Sequence, residues 1–187
     1  FGSKLNNKFS GTFGNAGVYS YYSTKAIFAG EGGIIVTDDS EIGNLIKDFI
    51  AYDRFKRKMK IGCNIRLPEI QALMIYSVIN EYKEIIKNKI NIAKKYAEVC
   101  NSHNIKYINQ NEKNNLGNYY KFTILSPEKN ISDLLPKIKT TTSKVYDYCL
   151  GKSKEIPMRH LCLPIWYNLE ENISDNVIKE IKESLGV

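Results

Sequence analysis

A long stretch of helical periodicity between Leu67 and Asn101 constrains the fold of this chain most. Pro68 and Glu69 stand at its start, and a proline in the first turn beside an acidic residue is typical of a helix N-terminus. The pattern predicts one long helix, or two helices in line, of a length that often bridges two domains. Apolar side chains recur along it at helical spacing, at Ile70, Leu73, Met74, Val78, Tyr82, Ile85, Ile86, Ile90, Ala93, Tyr96 and Ala97.

Segments of helical and strand character occur in mixed order on both sides of this stretch. The mixture predicts an α/β fold, with a first domain over residues 1–100 and a small α/β domain over residues 101–187. The Gly- and Asn-rich residues 1–15 are expected to form loop or turn. The predicted strands are 17–23, 34–37, 105–108, 119–125, 140–146 and 161–165, and the predicted shorter helices follow Asp39-Ser40, cover 132–139 and begin at a Ser174 cap.

Composition and charge exclude several classes of protein. The chain of 187 residues is 43% hydrophobic and 25% charged, values typical of a globular protein. It lacks the roughly 18-residue apolar run of a membrane-spanning helix and a visible signal peptide, so a soluble protein inside the cell is expected. The formal net charge is +7, but the lysines are spread over polar helix faces. We therefore expect no nucleic-acid partner and no membrane partner.

The four cysteines give no metal-binding or disulfide pattern. Cys63, Cys100, Cys149 and Cys162 are far apart, without a C-x-x-C pair, and the sequence holds only two histidines. We expect no metal site and reduced, mostly buried cysteines.

Lys25 stands in the segment with the clearest chemical potential. Ser20, Ser23 and Thr24 place three hydroxyls within five residues of it, and the glycine-rich turn 30–33 follows. Hydroxyls and exposed backbone N–H groups suit a phosphate. A lysine beside a phosphate site is what a Schiff base with a phosphorylated aldehyde requires. From the residue types alone, a surface lysine in a Ser/Thr-rich turn is the alternative.

Two long motifs resemble those of the DegT/DnrJ/StrS sugar aminotransferases. Residues 11–25, GTFGNAGVYSYYSTK, together with GEGG at 30–33, resemble the family pattern G-x-x-G-D-x-G-x-x-S-F-x-x-T-K followed by G-E-G-G. Residues 62–72, GCNIRLPEIQA, match the second block, G-x-N-x-R-x-x-E-x-Q-A. A weaker third block matches Cys162-Leu163-Pro164.

The resemblance implies a fold and a set of residue roles. The fold is that of the aspartate aminotransferase-like, fold type I enzymes, which use pyridoxal 5′-phosphate, and this chain corresponds to the C-terminal part: a remnant of the large domain plus a small α/β domain. Lys25 falls on the lysine that forms the internal aldimine with the cofactor and shuttles the proton. Ser20 falls on a serine that holds the cofactor phosphate, and Asn64 on an asparagine that reaches the phosphate from the partner subunit.

The activity that the resemblance implies is transfer of an amino group from an amino acid, with glutamate as the expected donor, to a keto group of a nucleotide-linked sugar in a homodimer. Family members carry the first half of the large domain upstream of the matched region, so the 187-residue chain by itself is expected to be inactive. The alternative is a non-catalytic remnant or an interaction module that uses the long helix as a partner surface.

Other residues have simpler explanations. Tyr146, Tyr148 and His160 could face the substrate in the small domain, but aromatic residues on strands usually belong to the core. Arg66 is expected to position the segment of Asn64, and Glu69 to be an acidic residue at a helix N-terminus.

Overall fold

The structure, a computed structural model, describes residues 1–51, 61–140, 142–144 and 158–187. It divides the chain into two compact units. Unit 1 comprises Phe1–Lys83 and Lys113–Gly117, and unit 2 comprises Glu84–Glu112 and Asn118–Val187. The units therefore change over within the long helix, and the domain boundary after residue 100 stays a prediction.

Unit 1 begins with a short hairpin. Strands β1 (Lys4–Leu5) and β2 (Lys8–Phe9) pair antiparallel, and β1 also pairs with β6 (Asn115–Leu116). Asn6 and Asn7 lie between β1 and β2 with φ angles of 49° and 62°, as a two-residue hairpin turn of type I′ requires. The prediction of loop throughout residues 1–15 was wrong here, because two-residue strands are too short to show an alternating pattern.

A two-stranded ribbon and a capped helix follow in unit 1. Strands β3 (Gly17–Ser20) and β4 (Gly33–Val36) pair antiparallel with Ser20 opposite Gly33. Helix α1 (Ser40–Ala51) begins where Asp39 Oδ1 accepts backbone N–H groups of residues 41 and 42 at 2.8 and 3.2 Å. Both strands and the helix confirm the sequence prediction, although β3 is shorter than expected.

The long periodic stretch forms two consecutive helices. Helix α2 (Glu69–Val78) leads through a 3₁₀ turn (Ile79–Glu81) into helix α3 (Tyr82–Ser102), which confirms the prediction. Helix α2 buries only Ile75, whereas α3 buries an entire face.

Unit 2 packs two helices and a short helical turn against an antiparallel sheet. Strands β5 (Lys106–Tyr107), β7 (Phe122–Leu125) and β8 (His160–Leu163) are ordered β5–β7–β8, with α4 (Ile131–Leu134) and α5 (Glu171–Leu185) in the same unit. The side chains that form the centre of its core are fully buried: Tyr96, Cys100, Phe122, Ile124, Val177 and Ile181. Together the elements confirm the predicted α/β class.

Several details of unit 2 differ from the predictions or fall outside the described residues. The helix predicted over 132–139 is observed only as α4, which ends at Leu134, and the strand predicted over 119–125 begins at Phe122. Helix α5 begins at Glu171, so Ser174 is inside it and its hydroxyl donates to the Glu171 carbonyl at 2.8 Å. The prediction of Ser174 as the cap was wrong, because the apolar periodicity starts a turn after the helix does. Of the predicted strand 140–146, Ser143 bridges to Cys162, and residues 141, 145 and 146 lie outside the described residues.

The cysteine prediction holds in part. Cys100 and Cys162 are buried and Cys63 is exposed, while Cys149 lies outside the described residues. Burial raises the pKa of the Cys100 thiol to about 12. Within the described ranges, no group of His, Cys, Asp and Glu is arranged to hold a metal ion, and no helix there is long and apolar enough to cross a membrane.

Candidate active site

Ser20 lies at the end of strand β3 with an exposed side chain. Its Oγ accepts the backbone N–H of Tyr22 at 3.2 Å. This local hydrogen bond turns the chain as it leaves the ribbon and holds the Ser20 hydroxyl at the entrance of the loop that carries Lys25.

The loop carrying Lys25 is closed on itself by backbone hydrogen bonds. The N–H of Tyr21 donates to the carbonyl of Gly32 at 2.8 Å, and that of Ser23 donates to Gly30 at 2.9 Å. The N–H of Ala29 donates back to the Tyr21 carbonyl at 2.8 Å. The half-buried Lys25 is therefore held on a loop whose two ends are tied together beside the end of the ribbon.

Buried side chains anchor this loop to unit 1. Tyr21, Ile27 and Ala29 are each at most 3% exposed and lie before and after Lys25. Burial raises the pKa of the Tyr21 hydroxyl, and Tyr19 raises it further. Tyr21 is therefore a buried, non-ionised anchor of the loop at physiological pH.

The glycines of the first motif allow close backbone contact. A Cβ atom on Gly17 would lie 1.6 Å from the carbonyl oxygen of Gly11, so no other residue fits at Gly17 without moving the backbone. Gly11 has a φ angle of +90° and lies against the ring of Tyr19. Residue types alone indicated only a loop here, and the contact between Gly11 and Gly17 could not be read from them.

The segment of Asn64 approaches the glycine-rich turn through Leu67. Asn64 is exposed in the stretch before α2, and the N–H of Cys63 donates to the carbonyl of Phe49 at the end of α1 at 2.9 Å. A Cβ atom on Gly32 would lie 2.7 Å from Leu67 Cδ1. The structure thus places Ser20 at the end of β3 and Lys25 on the loop that follows, and Asn64 three residues from a side chain that contacts this loop.

The other sequence candidates lie elsewhere or outside the described residues. His160 is buried in β8 at 7% exposure, in accord with a place in the core. Tyr146 and Tyr148 lie outside the described residues. Glu69 is the first residue of α2, as expected of an acidic residue at a helix N-terminus.

Comparison with known proteins decides the family. A sequence profile of the DegT/DnrJ/EryC1/StrS aminotransferase family matches residues 1–146. The chain belongs to this family. The resemblance of the two motifs is thereby confirmed, and pyridoxal phosphate is the cofactor of the family.

Two characterised relatives act on nucleotide sugars, according to their names. GDP-perosamine synthase of Escherichia coli O157:H7 is 30% identical over 130 residues, which cover 67% of this chain and 35% of that protein. The UDP-4-amino-4,6-dideoxy-N-acetyl-beta-L-altrosamine transaminase of Helicobacter pylori is 34% identical over 104 residues, which cover 52% of this chain and 28% of that protein. The aligned regions thus span well under half of the length of these relatives.

Solved structures of the family share the fold along the whole chain. A DegT/DnrJ/EryC1/StrS aminotransferase from Brucella abortus superposes with a TM-score of 0.87 at 22% identity and covers all of this chain and 55% of that chain. The PLP form of a sugar aminotransferase described as putative, from Streptococcus pneumoniae, gives a TM-score of 0.83 at 13% identity. The superposition covers 98% of this chain and 55% of that chain. These structures confirm the fold type I assignment.

The residues around Lys25 fit pyridoxal phosphate as far as this chain extends. Lys25 provides a primary amine for the aldehyde, and the exposed Ser20 hydroxyl can donate a hydrogen bond to a phosphate. The two residues thus supply the two chemical groups that a phosphorylated aldehyde needs, an amine for the aldehyde and a hydroxyl for the phosphate.

Proposed function

We propose that residues 1–187 are the lysine-bearing part of a pyridoxal phosphate-dependent aminotransferase that acts on a nucleotide-linked sugar. The observation that carries this proposal is the closed loop 21–32, which carries Lys25 and follows directly after Ser20. Membership of the aminotransferase family and the names of the two relatives support the reaction and the substrate class. The cytoplasm is part of the proposal, since such substrates are intracellular metabolites.

Each site residue has a stated role in this proposal. Lys25 would hold the cofactor through its amine and would move a proton between cofactor and substrate. The Ser20 hydroxyl would donate to the cofactor phosphate, and Asn64 would reach that phosphate from the partner subunit of a homodimer. When bound, pyridoxal phosphate supplies the electron sink for exchange of the amino group.

The amino donor and the extent of the active protein complete the proposal. We propose glutamate as the donor, in accord with the expectation from the family. Residues 1–187 cover 55% of the matched Brucella abortus chain, so the remaining 45% of that chain lies outside the covered region. We therefore expect residues 1–187 alone to bind the cofactor weakly and to be inactive, and the whole enzyme to catalyse the transfer.

The alternative function is a non-catalytic interaction module. The observation that favours it is helix α2, where Ile70, Leu73 and Tyr76 are 73%, 67% and 74% exposed. Exposed apolar faces of this kind mark association surfaces. In a homodimeric enzyme the same face would contact protein, so α2 is compatible with both functions.

Absorption spectroscopy separates the two functions. Whole protein mixed with pyridoxal phosphate is expected to show the visible band of a protonated imine, and Lys25→Ala to lose it. Lys47→Ala, which removes an exposed lysine from α1, is the matched control and is expected to keep the band. A band that survives Lys25→Ala, or that is absent from the whole wild-type protein, would reject the proposal in favour of the module.

A further inference from the structure

Leu67 fills the space that a side chain would need at Gly32. A Cβ atom built on Gly32 would lie 2.7 Å from Leu67 Cδ1 and 3.8 Å from Tyr21 Cβ. The φ angle of Gly32 is +139°, a conformation that glycine adopts with least strain. The glycine-rich turn therefore serves two purposes at this position: it allows the backbone to turn, and it receives the Leu67 side chain.

The contact between Leu67 and Gly32 affects the loop that carries Lys25, because Gly32 is hydrogen-bonded to Tyr21 in that loop. The carbonyl of Gly32 accepts the N–H of Tyr21, and the carbonyl of Tyr21 accepts the N–H of Ala29, both at 2.8 Å. Lys25 lies between Tyr21 and Ala29 in the chain. A displacement of Gly32 thus strains the hydrogen bond that closes the loop and changes the position of the Lys25 backbone.

Leu67 itself is held at both ends of its segment. On one side, Cys63 is hydrogen-bonded to the end of α1 at 2.9 Å. On the other, the carbonyl of Pro68 accepts the N–H of Ala72 at 3.0 Å, in the first turn of α2. Because the segment is hydrogen-bonded at these two points, the Leu67 backbone has a defined position between α1 and α2, from which its side chain reaches Gly32.

We propose that Leu67 is a positioning residue that fixes the Lys25 loop relative to the segment carrying Asn64. It acts through Gly32, and the contact joins the two motifs that carry the site residues. The inference rests on the proposed function for the meaning of Lys25 and Asn64, but the contact between Leu67 and Gly32 can be tested without cofactor.

The first experiment measures amide hydrogen exchange without cofactor. Leu67→Ala is expected to raise the exchange rates of the Tyr21 and Ala29 amides roughly tenfold relative to wild type, since about 1.4 kcal/mol of lost packing corresponds to that factor. Leu67→Met keeps the side-chain volume, so its Tyr21 and Ala29 amides are expected to exchange at the wild-type rates. Leu45→Ala is the matched control, because Leu45 is 51% exposed on α1, and it is expected to leave both amides unchanged.

The second experiment measures binding of pyridoxal phosphate by the same variants of the whole protein. Leu67→Ala is expected to weaken binding about tenfold while the visible band still forms, whereas Lys25→Ala removes the band. Leu67→Met and Leu45→Ala are expected to bind as wild type does. Loss of the band from wild type would reject the proposed function, and the exchange experiment would still decide the role of Leu67.

A double variant guards against general unfolding. Gly32→Ala introduces the Cβ that meets Leu67, so it is expected to accelerate the same amides. In Gly32→Ala/Leu67→Ala the space is free for this Cβ, and the combined effect is expected to be smaller than the product of the two single effects. The proposal would be overturned if the effects of the two single variants simply multiplied in the double variant. It would also be overturned if Leu67→Ala matched Leu45→Ala in both experiments.

Discussion

The two units of this chain are stabilised in different ways. Unit 2 has a continuous apolar core between helices α3 and α5 and the sheet β5–β7–β8, and Ile124 and Val177 in it are completely buried. Unit 1 leaves Val18 of the ribbon and Ile70 of α2 more than 70% exposed. Its order depends more on backbone hydrogen bonds and on glycines in close contact.

The proposed site and the large apolar core belong to different units. The proposed site residues Ser20, Lys25 and Asn64 all lie in unit 1, the unit with the smaller core. Regions with few buried apolar contacts open locally at low free-energy cost. Unit 1 therefore carries the site together with exposed apolar surface, whereas unit 2 is the well-packed part of the chain.

We expect the largest effect when isoleucine is replaced by alanine in the core of unit 2, and we compare it with the same replacement on the surface of unit 1. Ile124→Ala removes a side chain with 0% exposure and is expected to lower the free energy of unfolding by about 2–5 kcal/mol. Ile70→Ala removes a side chain with 73% exposure and is expected to change it by less than about 0.5 kcal/mol. Denaturant unfolding monitored by amide exchange measures the change in the free energy of unfolding for both variants. Equal losses of this free energy would refute the distinction between the units.

A smaller effect sharpens the role of backbone contacts in unit 1. Gly17→Ala places a Cβ 1.6 Å from the Gly11 carbonyl oxygen and is expected to cost about 1–3 kcal/mol, because backbone must move. Gly14→Ala is the matched control, since its Cβ would meet nothing closer than 3.8 Å. Exchange of the β3 and β4 amides measures the effect, and a Gly17→Ala protein with wild-type protection would contradict the contact.

The smallest effect concerns a carboxylate that holds the segment after α4 against α5 within unit 2. Glu180 on α5 accepts the backbone N–H groups of Lys139 and Thr140 at 3.0–3.2 Å. Glu180→Ala is expected to cost about 1 kcal/mol. Glu183→Ala, which removes an exposed i,i+4 pair with Lys179, is the control and is expected to cost less than about 0.5 kcal/mol.

The pH dependence of the Glu180 effect has a defined sign. Partial burial raises the pKa of the Glu180 carboxyl, but the hydrogen bonds from Thr140 and Lys139 and the charge of Lys139 outweigh it, so the pKa in the folded chain is lowered. The stabilisation is therefore complete above the ordinary carboxyl pKa of about 4.3 and is lost as the pH falls through the lower folded value. Unfolding curves of wild type and Glu180→Gln should converge in acid; a constant difference at every pH would contradict this.

Sequence reasoning predicted the elements that have a long or chemically distinct pattern. The Asp39 cap of α1, the two helices on either side of the 3₁₀ turn and strands β4, β7 and β8 follow from periodicity and turn residues. The hairpin at Asn6-Asn7 was missed because its strands have two residues each. The Ser174 cap was misplaced because buried periodicity and helix start do not coincide.

The site was only partly accessible from sequence. Motif resemblance named Lys25, Ser20 and Asn64, but the packing of Leu67 on Gly32 joins residues 35 positions apart (67 − 32) and depends on the tertiary fold. Likewise, G-E-G-G indicated an unusual backbone without showing which group approaches it. Local patterns report secondary structure, whereas contacts between distant segments require coordinates.

Borohydride reduction of the whole protein with pyridoxal phosphate, followed by peptide mass spectrometry, tests the central claim most directly. Reduction makes a covalent link between a lysine and the cofactor permanent, so the modified residue can be identified. We predict one dominant modified peptide that contains Lys25, at limiting cofactor concentration. Modification spread equally over exposed lysines such as Lys47, with Lys25 not preferred, would contradict the account.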